Sequence, residues 1–487
     1  MKDFLIIGAG YAGISVGALL AKEGYSVEII ESHNLIGGCA SYFRKKNFLF
    51  DVGATTLSGV LGHQPLGLLF HTLGIKPELE KMEIGIRIYQ ENSLLNRFSN
   101  LDQWIDEAER FFVESRKSQK KFWKRIAEID QLSWEFISSN LRLPPRGFTD
   151  LLHLSKPRNW NKISLLYSLF KPLKYLLDKY DIHDKKFEKF LSEQLLITTQ
   201  STIEKAPLLT SAMGLAYPSE TYYPIGGITK PLELIFQKFI SYGGTISLKE
   251  TVKKIDYSEN KINLTTHKNK VFESKYLVST IPIWNMKEIC SGKVQTYYEK
   301  LCRRFPEGPG AFTINFGIEM EASFTGGYYQ IHTPKKIPYC DAGAFFLTVS
   351  HALDDKKSPT GFRSITISTH TNAKEWSEVA GEDYRNKKDE ITKYILENLE
   401  STLPEFKDKE KIFLSSGSPK TFARYTKREQ GFVGGIPHSI NPNLLLMPPN
   451  KTPFHGLFQG GDTAFPGQGT PAVVQGAFQI LNYSKNL

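Results

Sequence analysis

The sequence predicts an α/β fold: a doubly wound, mostly parallel sheet built from separated pieces of chain, with a second α+β domain inserted between them. Three observations carry this. The chain begins with an apolar run, Phe4-Leu5-Ile6-Ile7, a Gly8-Ala9-Gly10-Tyr11-Ala12-Gly13 turn, a small-residue helix, and a second apolar run ending at Glu31. A second glycine-rich signature, Gly460-Gly461-Asp462 through Gly476, lies near the other end. At 487 residues the chain exceeds the roughly 250–300 at which one hydrophobic core stops growing.

The first element is read part by part. A short apolar run of this kind makes a strand buried on both faces. Gly8 allows a tight strand-to-helix turn, Gly10 lets a diphosphate approach the backbone, and Gly13 lets the helix pack close to the strand. Free N–H groups at the helix start then face the phosphates, aided by the helix dipole. Glu31 is placed to accept a hydrogen bond from a ribose 2′-hydroxyl and would repel a 2′-phosphate. The nucleotide expected is therefore NAD-like or FAD-like. Residues 4–21 carry no charge and match a membrane span or signal peptide by length alone, but their glycines fall where the nucleotide fold needs them. No other long uncharged run occurs. Neither a transmembrane helix nor a signal peptide is expected.

Composition narrows the class. Hydrophobic residues make up 40% and charged residues 23%, an ordinary globular balance. Aromatics reach 12%, which suits a large core or a large apolar ligand. Lys+Arg 61 against Asp+Glu 51 gives a net charge of +10. That suits an anionic surface or solubility, and no nucleic-acid signature accompanies it. Cys39, Cys290, Cys302 and Cys340 are scattered, which points to a reducing, cytoplasmic setting and to neither a disulfide framework nor a zinc site. His351, Asp354, Asp355 and His370 match no metal-ligand spacing, and no metal is expected.

Along the chain, Gly37-Gly38-Cys39-Ala40-Ser41 offers a second approach of backbone amides to a ligand. Phe50-Asp51-Val52-Gly53-Ala54-Thr55-Thr56 reads as a strand running into a small-residue loop. A charged helix is expected from Leu101 to about residue 128. Residues 141–190 interleave apolar side chains with Lys156, Arg158, Lys162, Lys171, Lys174 and Lys179, and with Trp160, Tyr167 and Tyr175. This pattern fits either an amphipathic segment lying in a membrane interface or a helical layer with its apolar side in the core. Tyr223-Pro224-Ile225-Gly226-Gly227 precedes a helix over about 230–240 and a strand near Val252. At the C-terminal signature, Asp462 is placed to bond ribityl hydroxyls or lie by the diphosphate. The helix starting near Pro471 would bring its positive end to the edge where a flavin gains negative charge on reduction. No Ser/His/Asp or Cys/His constellation is visible.

GAGYAG, the acid, GGCASYF, FDVGATT and the C-terminal GFVGGIP and GGDTAFPGQGTPAVVQGA together resemble the flavin-dependent family of carotenoid desaturases, carotenoid isomerases and amine oxidases. The FPGQG form is closer to poly-cis-carotenoid isomerases. The resemblance implies a Rossmann-like FAD-binding domain of glutathione-reductase type from residues 1–75, 222–290 and 420–487. It implies a substrate- and membrane-facing α+β domain from 76–221 and 291–419. It assigns Gly8, Ala9, Gly10, Tyr11, Ala12, Gly13, Glu31 and Ser32 to the ADP half of FAD, and Gly37, Gly38 and Ser41 to phosphate and ribityl contacts. Val252 would meet the adenine end through its backbone. Gly53, Ala54, Gly461, Asp462, Pro471, Ala472 and Val473 complete the cofactor set, with Gln468 and Thr470 near the ring. Many amine-oxidase-like members carry arginine where this chain has Cys39, which argues against an amine substrate. The implied activity is FAD-dependent conversion of a long apolar polyene, with cis–trans isomerisation of a carotenoid ahead of desaturation or saturation. Quinone or oxygen would be the electron acceptor in a desaturase, and a peripheral membrane surface the source of substrate. A non-catalytic prenyl-lipid carrier on the same fold is the alternative.

Overall fold

Strand Lys2–Ile7 ends in four buried residues, so this run of apolar side chains has no face left for water. The computed structural model describes residues 1–485 and 487. Strands Thr245–Ser247, Val27–Ile30, Lys2–Ile7, Val271–Ser279 and Leu457–Gln459 lie side by side and parallel. Val252–Tyr257 and Ile262–Thr266 extend the sheet antiparallel to seven strands. Helices Tyr11–Lys22, Thr229–Ser241 and Thr470–Ser484 bury one side of the sheet through Ile14, Leu232, Ile235, Phe239, Val474 and Ile480. Ile283–Ile289 and Gly292–Arg304 cover the other through Trp284, Met286, Tyr298 and Leu301.

The second sheet also has seven strands, in the order Ile412–Gly417, Gly310–Glu319, Phe362–Thr371, Ala344–Val349, Gly327–His332, Ile84–Gln90 and Ser93–Phe98. Its two faces differ. Phe312, Ile314, Phe345, Leu347, Ile365 and Ile367 point to one side and pack on helix Gly381–Thr402 through Ile391, Ile395 and Leu399. By the alternation of a strand, Gln330, Phe346, Thr348, Ser368 and His370 occupy the other side.

The charged helix expected over 101 to about 128 is two helices, Leu101–Phe111 and Arg116–Ser139. Phe112 breaks the first by burying completely among Phe187 and Phe190, with ring centroids 4.8 and 5.3 Å away. Residues 148–179 form four short helical pieces, divided in part by Pro157 and Pro172. Their apolar side chains divide as well. Leu165, Leu169, Leu173, Leu176 and Leu177 are core, whereas Phe148, Leu151, Leu152, Trp160, Ile163, Leu166, Tyr167 and Phe170 are 48–75% exposed.

A buried ion pair ties strand Phe48–Asp51, which lies in a separate hairpin, to the turn before Phe362–Thr371 of the second sheet. Lys357 Nζ lies 2.6 Å from Asp51 Oδ2, both almost inaccessible, and Asp51 Oδ1 accepts from the Ile228 amide at 3.2 Å. Asp354 holds the adjoining turn by accepting from Tyr223 Oη at 2.8 Å and from the Gly226 amide at 3.0 Å. His351 stacks on the Tyr223 ring, with centroids 3.8 Å apart.

Candidate functional site

The glycine-rich turn forms a narrow slot. Gly8 takes φ +101° and donates to Ile30 O at 2.9 Å. A Cβ on Gly13 would sit 1.9 Å from Gly8 O, so only glycine permits this helix–strand approach. Gly10 caps the Tyr11–Lys22 helix without a side-chain acceptor. Opposite it, Gly37 donates to Ala9 O at 2.8 Å, and a Cβ on Gly38 would come within 3.5 Å of Gly10 Cα. Facing glycines therefore leave a groove into which the first-turn amides of the helix point, a shape and polarity suited to a diphosphate.

Glu31 closes one end of this groove. Its Oε2 accepts from the Ala9 amide at 2.7 Å, and its Oε1 accepts from the His33 amide at 2.7 Å and from Ser32 Oγ at 3.1 Å. Its carbonyl accepts from the Glu250 amide at 2.9 Å, which brings Val252 and its strand alongside. Tyr11 turns its side chain away and donates to Ile228 O at 2.7 Å, leaving only its backbone at the turn; Ala12 is buried behind it. Ser41 Oγ donates to Ile36 O at 2.9 Å.

At the other end of the groove stands an ion pair whose arginine the sequence reading missed. Arg428 Nη2 is 2.7 Å from Asp462 Oδ2, and Arg428 Nε donates to Phe432 O. Burial opposes the guanidinium charge, but Asp462 and Cys39 outweigh it and hold its pKa above the ordinary value. Burial raises the Cys39 thiol, against the pull of Arg428. A positive charge thus stands near Cys39, supplied from far along the chain. Its one sequence clue is its position just before Gly431-Phe432-Val433-Gly434-Gly435. Gly461 meets Thr280 so closely that a Cβ would lie 2.6 Å from its carbonyl.

The groove leads into a cavity of 720 Å³, within the ~300–1,000 Å³ of small-molecule sites. Gly53, Ala54, Thr55 and Thr56 line its near edge, and a Cβ on Gly53 would lie 3.1 Å from Cys39 O, at the groove. Thr55 is fixed through Thr348, with Oγ1 atoms 2.8 Å apart, and its carbonyl accepts from Tyr328 Oη at 3.0 Å. Gln468, Gly469, Thr470, Pro471 and Ala472 form a second wall. Gln468 is held rigidly: its Nε2 donates to Thr198 O at 2.6 Å, and its Oε1 accepts from Gln200 Nε2 at 2.6 Å. Gly469, at φ +89°, starts the Thr470–Ser484 helix without a side-chain cap. Val473 donates to Gly469 O at 3.1 Å, within the first turn. The remaining lining is largely apolar, including Phe136, Leu169, Leu196, Ile197 and Phe465. It reaches the exposed segment through Leu151, Leu154, Ile163 and Leu166. His438 also faces the cavity. Burial lowers its pKa to about 4, so the ring is neutral, and neither ring nitrogen has a partner among the described residues.

The family model for flavin-containing amine oxidoreductases matches residues 11–479. Among curated relatives, the chloroplastic prolycopene isomerase of Arabidopsis thaliana is 24% identical, over 97% of this chain and 81% of its own length. The 1-hydroxycarotenoid 3,4-desaturase of a Flavobacterium strain is 22% identical, over 98% of both chains. Among solved structures, an oxidoreductase from Methanosarcina mazei superposes with a TM-score of 0.67 at 16% identity, covering 99% of this chain and 100% of its own. No helix among the described residues is long and apolar enough to cross a membrane.

Proposed function

The chain belongs to the flavin-containing amine oxidoreductase family, and from that premise we propose that it is an FAD-dependent enzyme of long apolar polyenes, converting a poly-cis carotenoid to a more extended isomer. The observation that carries this reading is the apolar cavity, which runs from the exposed 148–170 segment to the end of the nucleotide groove. The names of the relatives support it: prolycopene isomerases and a carotenoid desaturase match along nearly the whole chain.

FAD, when bound, supplies hydride or electron exchange with the conjugated chain. The residues present fit it. Glu31 Oε2 retains a lone pair for a ribose hydroxyl, and the amides facing Gly10, Gly37 and Gly38 would hold the diphosphate. Arg428 and Asp462 would supply a cation for phosphate and an acceptor for ribityl hydroxyls. The uncapped start of the Thr470–Ser484 helix offers positive potential at the cavity wall. Gln468, fixed by Thr198 and Gln200, keeps that wall from rearranging. The apolar lining excludes water and orients the polyene. Neutral His438 adds a polar group without a charge. Isomerisation leaves atoms and electrons unchanged. Desaturation, the second reading, removes two hydrogens and needs a quinone or oxygen to accept them.

The exposed apolar residues of 148–170 lie among Lys156, Arg158 and Lys171, a composition suited to an anionic bilayer interface from which a water-insoluble substrate is drawn. The test combines purified holoprotein, a chemical reductant and poly-cis lycopene in anionic liposomes under anaerobic conditions. A red-shifted product of unchanged mass supports isomerisation. Loss of hydrogen only with oxidised flavin and a quinone moves the assignment to desaturation. No product under either condition removes the polyene.

A further inference from the structure

An apolar cavity built for a pure hydrocarbon has no use for a cluster of polar side chains on its wall, yet this wall carries one, apart from His438. The patch lies on the face of the second sheet opposite helix Gly381–Thr402. Gln330, Phe346 and Ser368 sit in register on three adjacent strands, and His370 follows two residues beyond Ser368 on the same face. Glu193 and Gln194 approach from helix Lys185–Thr198, and all of these side chains line the cavity.

The patch is only partly satisfied. Gln194 Nε2 donates to Gln330 Oε1, and the Gly343 amide donates to Glu193 Oε1 at 2.9 Å. The His370 ring and the Ser368 hydroxyl have no hydrogen-bond partner among the described residues. Burial lowers the His370 pKa to about 4 and raises that of Glu193. A hydrocarbon placed against this wall would remove its remaining water and give nothing back. Stranding a buried donor or acceptor costs on the order of 1–3 kcal/mol.

The position of the patch has meaning along the ligand. Thr348 is tied to Thr55 at the near edge of the cavity, Thr366 lies opposite Thr348, and His370 is four residues further along the strand of Thr366. Four residues of extended strand span roughly 13 Å. One molecule could therefore lie with its reacting bonds near Thr55 and Thr56 and its end at the patch.

We propose that the substrate is a polyene with a hydroxylated end group, seated between His370, Ser368, Glu193 and Gln330. A hydroxyl both donates and accepts, which matches a neutral imidazole beside a hydroxyl and a carboxyl. This inference rests on the polyene reading and narrows it. A site of this kind rejects the analogue that lacks the hydroxyl more strongly than an apolar pocket rejects an extra methylene.

The test uses holoprotein and a matched pair, lycopene and 1-hydroxylycopene, delivered in the same liposomes, with binding read from perturbation of the flavin absorbance band. The hydroxylated compound is expected to bind about tenfold more tightly. In His370→Phe and Gln330→Leu, each checked for full flavin content, that ratio is expected to fall to near one, with lycopene binding as well as before or better. Equal binding of the pair by the unaltered protein would overturn the proposal and leave the polyene reading standing, as would a preference that survives both substitutions. If neither compound perturbs the flavin, the polyene reading falls and the end-group assignment with it.

Discussion

The nucleotide groove and the apolar cavity meet at Gly53, but they are made in different ways. The groove is made of backbone. Its walls are amides and carbonyls of Gly8, Gly10, Gly37 and Gly38, and its shape depends on side chains that are missing. The cavity is made of side chains brought from the 53–58 loop, helices Arg116–Ser139 and Lys185–Thr198, the second sheet and the C-terminal signature. A backbone site tolerates little change in sequence and binds one constant ligand. A side-chain site on the same scaffold can be reshaped residue by residue, which is how one flavin comes to serve different substrates.

The largest expected effect breaks the joint between the two regions. Lys357→Met leaves Asp51 buried and unpaired, which costs about 3–5 kcal/mol. The urea midpoint should fall sharply and flavin content with it. A midpoint within error of the parent would mean that water reaches Asp51 and the joint lies elsewhere. Next in size, Arg428→Gln should act on the groove alone. Losing a charge-assisted contact worth ~1.5–3 kcal/mol should raise the FAD dissociation constant about 10- to 100-fold, with polyene binding by fully reloaded protein unchanged. Unaltered FAD affinity would make the Arg428–Asp462 pair purely structural.

The smallest effect per residue separates the regions by pH. Burial lowers His370 and His438 on the cavity wall to about 4, and His332 at the end of its strand to about 3. Unfolded histidines titrate near 6.5, so the unfolded state binds protons first as the pH drops. The stability these rings contribute is complete above about pH 6.5 and is lost as the pH falls from there toward 4. Each should cost about 1.4 kcal/mol at pH 5.5. Denaturation midpoints at pH 7.5 and 5.5 test this, and the triple replacement of these histidines by Gln should flatten the difference. A slope that persists in the triple variant would place the acid sensitivity in other groups.

The same contrast governs what the sequence revealed. The parallel sheet, the Gly8–Gly13 turn and the C-terminal Gly-rich segment were legible because each is a local pattern: a turn needing positive φ, a helix start, an apolar run of strand length. FAD followed from those patterns and the resemblance they carry. Arg428 was not legible, because its partner Asp462 is 34 residues away and its one local mark is the glycine-rich run that follows it. The polar patch was hidden for a similar reason. Gln330, Ser368 and His370 become neighbours only through strand register, and each alone reads as an ordinary strand residue. Read from spacing alone, His370 suggests only a metal ligand, and that spacing fits no site. The 141–190 segment resisted because periodicity cannot tell an apolar face that meets the core from one that faces outward, and both kinds occur within it.

The first sheet carries one more consequence. Strand Leu457–Gln459 hydrogen-bonds beside Val271–Ser279, and the helix that covers Lys2–Ile7 and its neighbours includes Thr470–Ser484. A ribosome making this chain must therefore translate the whole insertion after the nucleotide turn before strand Val271–Ser279 has its outer neighbour and the sheet its full roof. Until then a nascent polypeptide with an open parallel edge and bare valines and isoleucines must be kept from its neighbours, the situation in which chaperones act. A complete nucleotide site on this scaffold therefore waits for residues 457–484.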